Sequence, residues 1–311
     1  MFKKILVPTD FSSYAHKMQE CLAQMPGIEE VVLLNVVDAS NPMNLERKGW
    51  SYDSLIDEAQ TRLAEQAGYL SHLVEKGLSV KQSLKIIVEP MSGADGVDMK
   101  RLKPDSSLSL IEGGSIGEAI IKTAIDEKVS LIYMGAQGKG LIEGMLLGSV
   151  STEVLRKGQT DLLIIRHKII EGSRDKQLEG FCRDIFSRVL LTTDFSEAGQ
   201  EAIAAIKDLA GVKEILLVNV IAREEEFEEA AKRLNQLREE LKGLGGKITI
   251  HVLMGHAARE IITLAEKQDV SLIMMGSQGK SWSRQIRVGS TTFDVARQAK
   301  SPVLVIRTVP L

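Results

Sequence analysis

Glycine and serine recur at one fixed spacing, and they do so twice. Gly135-Ala136-Gln137-Gly138 is followed by Gly148-Ser149, and Gly276-Ser277-Gln278-Gly279 by Gly289-Ser290, with nine residues between the second and third glycine in each copy. Glycine lets a backbone approach a ligand with no Cβ in the way, so several N–H groups can converge on one point. A Gly-Ser pair opening a helix adds unpaired N–H donors, a hydroxyl and the positive end of the helix dipole. That is the chemistry of a phosphate site. One isolated Gly-x2-Gly would be no more than a tight turn between strand and helix; two copies at identical spacing carry the stronger reading.

A second pair of motifs sits upstream of each loop: Pro8-Thr9-Asp10 and Thr192-Thr193-Asp194, both continuing as Asp-Phe-Ser. Asp10 and Asp194 are of the type that polarises a water or holds a magnesium ion. No second acid or base accompanies either, so dedicated hydrolysis is not supported. Rival phosphate motifs fail. Gly279-Lys280-Ser281 resembles the end of a Walker loop, but Met274 stands where its first glycine is required. In the first copy Gly140 follows Gly138-Lys139 and Tyr133 stands upstream; nor does a Gly-x-Gly-x-x-Gly follow the first strand. The histidines at 16, 72, 167, 251 and 256 lack metal-ligand spacing.

The elements that must position these residues are written twice. Residues 2–38 return at 186–222, offset by 184, with Gly27/Gly211 and Asn35/Asn219 in register. From VSLIYMGAQGKG onward the offset is 141, so 43 extra residues lie in the first copy between Asp38 and about Gly114. Each copy alternates short apolar runs with amphipathic segments. KILVPTD reads as a strand, after which Ser12 caps a helix whose apolar positions follow the 3.6 period. VVLLNVV is a second strand; polar-faced helices follow at roughly 52–76 and 223–243. LIYMG and LIMMG lead into the glycine loops, and LLIIR and VLVIR close the copies. Continuous apolar strands separated by helices predict a parallel sheet covered on both faces. The fold class is therefore α/β: two tandem doubly wound domains, each with a five-stranded parallel sheet flanked by helices. The boundaries are 1–167, with an insertion at about 78–112, a charged linker over 168–185, and 186–311. The insertion reads as a strand pair with an irregular tip.

The pattern G-x2-G-x9-G-S, with its leading TDFS and a final VLVIR-like strand, resembles the universal stress protein family across nearly the whole chain. The resemblance implies an adenine nucleotide alpha hydrolase-like fold and the family's ATP-binding subclass. It implies ATP, or AMP or ADP, as the ligand, with magnesium as a companion ion and the metal site itself unassigned. The implied first site takes Pro8, Thr9 and Asp10, the backbone of Val36 at the adenine edge, and Met134, Gly135, Gln137 and Gly138 along ribose and first phosphate. Gly148, Ser149, Val150 and Ser151 cradle the outer phosphates. The second takes Thr193, Asp194, Val220, Met275, Gly276, Gln278, Gly279, Gly289, Ser290, Thr291 and Thr292. Thr192 departs from the family's proline, and Gln137 and Gln278 stand where a histidine is common. The resemblance also implies that LLIIR and VLVIR pair antiparallel as an internal pseudo-dimer, with a homodimer as a further assembly. The implied role is a nucleotide-responsive stress regulator. A slow ATP hydrolase or autophosphorylating enzyme, and a scaffold that keeps the loops only as structure, are the alternatives.

Composition agrees with this reading. At 311 residues, 44% hydrophobic and 26% charged, the chain has the content of about two packed domains. Its net charge of −3 argues against a nucleic-acid binder, and no apolar run approaches membrane-spanning length. The N-terminus does not read as a signal peptide. Cys21 and Cys182, outside any Cys-x-x-Cys or Cys/His cluster, read as small buried hydrophobes rather than disulfide or zinc partners. A reducing cytoplasm fits that usage. Between the glycines of each loop, KSWSRQIRV carries a net charge of +3 and KGLIEGMLL a net charge of zero, which favours the second half as the tighter ATP site.

Overall fold

The protein is represented by a computed structural model that describes residues 2–23, 25, 27–40, 52–73, 78–88, 108–136, 147–166, 182–244, 246–278 and 288–308. In the first half the apolar run Lys4–Thr9 is β1, followed by α1 (Ser13–Ala23), β2 (Glu30–Asp38), α2 (Tyr52–Leu73), β3 (Ser79–Val88) and β4 (Leu108–Glu112). Then come α3 (Ile116–Asp126), β5 (Leu131–Gly135), α4 (Ser149–Lys157) and β6 (Asp161–Ile165). The second half runs β7 (Arg188–Thr192), α5 (Glu197–Ile206), β8 (Glu214–Ile221), α6 (Phe227–Leu241), β9 (Lys247–Met254), α7 (Ala257–Lys267), β10 (Leu272–Gly276), α8 (Ser290–Gln298) and β11 (Val303–Ile306).

The eleven strands among the described residues form one sheet in the order β4-β3-β2-β1-β5-β6-β11-β10-β7-β8-β9. Every neighbouring pair is parallel except β6 and β11, which meet antiparallel where the halves join. There Leu163 faces Leu304, its own counterpart at the 141-residue offset, so a local twofold passes between them. Side chains of a strand alternate between faces. Ile5 and Val7 join α1, α2, α5 and α6 in one core, while Leu6 joins α3, α4, α7 and α8 in the other. Both cores contain residues of both halves, so hydrophobic burial is continuous across the β6–β11 seam.

Two expectations need correction. Among the described residues the first half has six strands rather than five, because the insertion adds β4 at the sheet edge. The strand pair read in that insertion is present as β3 and β4, which run parallel with Leu84 opposite Leu108. Cys21 and Cys182 are both buried, as expected, but they are joined as a disulfide with Cα atoms 5.0 Å apart. Their 161-residue separation hid this. Ile185 and Phe186 pack into the same core as α1, and that packing carries Cys182 to Cys21.

Candidate functional site

In each half the chain winds outward from the first strand in one direction and then crosses to its other side. The strand order therefore switches between β1 and β5, and again between β7 and β10. A crevice opens beyond the carboxyl ends of parallel strands at such a point.

The Thr-Asp-Phe-Ser motif turns the chain from strand to helix there. Thr193 Oγ1 accepts the Phe195 N–H at 2.9 Å, with Phe195 in the left-handed region at φ 61°. Asp194 Oδ1 accepts the Ser196 N–H at 3.0 Å and the Ser196 hydroxyl, and Ser196 Oγ caps α5 by accepting from Gly199 N. The first half repeats the turn. Phe11 also has φ 61°, its N–H donates to Thr9 Oγ1, and Asp10 Oδ1 accepts from Ser12 N. Ser12 Oγ caps α1 through Ala15 N at 3.1 Å. Behind each turn a buried asparagine ties the second strand to the first: Asn35 Nδ2 donates to Thr9 O at 2.8 Å and Asn219 Nδ2 to Thr193 O at 2.7 Å. These local bonds hold the strand end still, as a binding crevice requires.

The start and end of each glycine loop are clipped together. Ala136 N donates to Ile165 O, and Gly148 N donates back to Ala136 O at 2.7 Å; Ser277, Ile306 and Gly289 repeat the pattern. Gly148 and Gly289 sit at extended backbone angles as N-caps of α4 and α8, and among the described residues neither helix receives a side-chain cap bond. The N–H groups of the first helical turn have no intrahelical acceptor. They are available to an anion. Ser151 and Thr292, expected to cradle phosphate, turn their hydroxyls inward and donate to Gly135 O and Gly276 O, both at 2.8 Å. Their side chains fasten helix to strand. Ser149 and Ser290, one position into each helix, stay exposed.

A cavity of about 290 Å³ in the second half brings most of these residues together. Thr193 and Asp194, Val220, Met275 and Gly276, Gln278, and Gly289 through Thr292 all line it. Gly279 lies outside the described residues, as do Gln137 and Gly138 and the loop segments KGLIEGMLL and KSWSRQIRV. In the first half Pro8 and Thr9 end β1, Asp10 follows, Val36 lies on β2, and Met134 and Gly135 close β5. Gly148, Ser149, Val150 and Ser151 open α4, so the first set occupies positions equivalent to the second.

Sequence reasoning missed several wall residues. Gly199, Asn219, Ala257 and Ile261 also line the cavity. Gly199 leaves its room because a Cβ there would stand 2.9 Å from Thr193 Oγ1. The Asn35/Asn219 match within the repeat was the one signal available for any of them. The first half carries Ala15 at the position of Gly199. It also places a polar pair beneath its crevice: Gln66 Oε1 accepts from Thr9 Oγ1 at 2.8 Å and from the buried Gln19 Nε2 at 3.1 Å. Among the described residues no cluster of three or more His, Cys, Asp or Glu could hold a metal ion, and no helix is long and apolar enough to cross a membrane.

The fold and this site agree with what the chain is similar to. A solved universal stress protein of Archaeoglobus fulgidus covers 99% of this chain and 99% of its own, at 24% identity and a TM-score of 0.69, which shows the shared fold. Universal stress protein Rv1996 of Mycobacterium tuberculosis is 23% identical over 329 residues, spanning 97% of this chain and 94% of that relative. Universal stress protein MJ0577 of Methanocaldococcus jannaschii is 28% identical over 155 residues, 40% of this chain and 96% of its own length. The description "Universal stress protein family" matches residues 1–166 and again 186–307, so that the twice-written sequence with its paired glycine loops belongs to the universal stress protein family.

Proposed function

We propose that this universal stress protein binds adenine nucleotide, ATP in particular, in the crevice of each half, and that it acts as a nucleotide-responsive regulator. The supporting observation is the second-half cavity, which joins an apolar wall (Val220, Ile261, Met275) to the uncapped start of α8 at Gly289-Ser290. An apolar wall suits a purine ring, and the helix start suits phosphate. The backbone N–H groups of residues 290–292, together with the exposed Ser290 hydroxyl, are the phosphate donors in this reading; Thr292 contributes its N–H and not its hydroxyl. AMP and ADP fit the same chemistry with fewer phosphates. Magnesium would be held chiefly by the nucleotide's own phosphates, since the described residues offer no cluster for it.

In the same reading residues 1–167 and 186–311 are the two domains, joined by 168–185 and packed as an internal pseudo-dimer through β6 and β11. Purified protein is heat-denatured and its supernatant assayed for adenine nucleotide, and the nucleotide-free protein is then titrated with ATP. Two equivalents bound, each sensitive to filling its own crevice, is the expected result. Absence of both carried-over nucleotide and titratable binding removes the reading.

A further inference from the structure

Each crevice-facing helix ends against an arginine of the opposite half. Arg307, directly after β11, sends Nη2 to Leu155 O at 2.6 Å and toward Val154 O at 3.4 Å, both carbonyls in the last turn of α4. Arg166, directly after β6, donates from Nη2 to Ala296 O in the last turn of α8. Arg166 and Arg307 are counterparts at the 141-residue offset, and so are Leu155 and Ala296. The two contacts are thus one contact made twice about the local twofold of the seam. Both arginines are buried, each residue at 5% exposure. Arg156 of α4 also lies 4.4 Å from the ring of Phe293 on α8, so the two helices are braced side by side.

A guanidinium is expensive to bury, so its acceptors matter. The last carbonyls of a helix have no intrahelical donor and carry the negative end of its dipole. An arginine there satisfies Leu155 O or Ala296 O and cancels that negative end, while Val154 O also accepts the Gly158 N–H at 2.8 Å. The opposite end of the same helix, Gly148-Ser149 in one half and Gly289-Ser290 in the other, is the proposed phosphate site. Nine residues of helix separate the two ends by about 13 Å. We propose that Arg307 and Arg166 are positioning residues acting across the seam: each fixes the phosphate-facing helix of the other half, so that neither crevice is complete without the opposite domain. This rests on the nucleotide reading given above.

A charge about 15 Å from a phosphate at an effective dielectric near 20 changes affinity roughly fivefold. The test uses the full chain with one crevice filled, by Val36→Trp or Val220→Trp, and titrates the remaining site with a fluorescent ATP analogue. Arg307→Met is expected to weaken the first-half site about fivefold and leave the second within twofold. Arg166→Met is expected to do the converse. The lysine variants, which keep the charge, should stay within twofold at both sites. Loss confined to the arginine's own half, equal loss at both sites, or no loss overturns the proposal. Hydrogen exchange without nucleotide provides a second readout: Arg307→Met should speed exchange in 149–157 and not in 290–298, with the reverse for Arg166→Met. If a methionine variant does not fold, Arg307→Lys takes its place, expected to loosen the last turn of α4 alone because lysine lacks the two-carbonyl fork. Equal exchange in both helices overturns the proposal. Failure of the unsubstituted protein to bind the analogue defeats the nucleotide reading instead, and the exchange pattern then decides the cross-seam bracing by itself.

Discussion

Asp161 gives the seam a pH dependence of unusual sign. It opens β6, and its Oδ1 accepts the backbone N–H of Arg307 at 2.8 Å across the junction of the halves. Burial pushes its carboxyl up to about 6, against the pull of the Arg307 hydrogen bond and charge. In the unfolded chain an aspartate titrates near 3.9. Between those values the folded protein holds a proton that the unfolded chain has released, so stability falls as pH rises. The contribution is fully present below about pH 4 and is lost once pH passes about 6. Roughly two pH units at about 1.4 kcal/mol each set a ceiling of ~3 kcal/mol. Asp161→Asn keeps an oxygen to accept from Arg307 N and removes the charge. Urea unfolding of both proteins from pH 4 to 7.5 is the assay, read as the difference between them, because carboxylates such as Glu127 and Glu153, held low by their lysines, push stability the other way in both. The variant should gain up to ~3 kcal/mol relative to the parent at pH 7.5 and nothing at pH 4. A difference that stays constant with pH, or that grows toward acid, would refute the reasoning.

The Cys21–Cys182 bridge closes 161 residues, so Cys182→Ser or a reductant should lower stability by about 3–5 kcal/mol. Thiol alkylation of the denatured protein, revealing no free cysteine before reduction, checks the bond itself. Gly276→Ala places a Cβ onto the Ala198 carbonyl and 3.1 Å from its Cβ. It should cost about 1–3 kcal/mol by displacing α5, measured as a shifted denaturation midpoint. Ser290→Ala and Thr292→Ala should separate binding from stability. The first should leave stability within about 0.5 kcal/mol and weaken ATP by about 1.5–3 kcal/mol. The second, deprived of its bond to Gly276 O, should lose about 1 kcal/mol of stability with a smaller change in affinity; calorimetry on both variants distinguishes them.

The sequence by itself determined whatever depends on near neighbours. Strands such as Lys4–Thr9 and Leu272–Gly276 are apolar runs bounded by turn residues, and the Ser12 cap lies three residues from the N–H that donates to it, so their local patterns were enough. The repeat placed Thr193, Asp194, Gly276 and Gly289-Ser290 at strand and helix ends on one side of a doubly wound sheet, and they do line one cavity. Side-chain direction was another matter. Ser151 and Thr292 share a motif with Ser149 and Ser290, yet two positions along a helix turn a hydroxyl by about 200°, from solvent toward the strand carbonyl behind. Tertiary structure alone decided the rest. The direction of β4 followed from its parallel pairing with β3, the disulfide from Ile185 and Phe186 entering the core of α1, and the arginine contacts from the register of β6 on β11. Each joins residues far apart in the chain whose types carry no record of their partners: a cysteine in an apolar stretch reads as core, and an arginine after a strand reads as surface. Their meeting is a property of how two covered sheet faces merge into one, because burial is non-directional and only the assembled strands say which side chains it brings together.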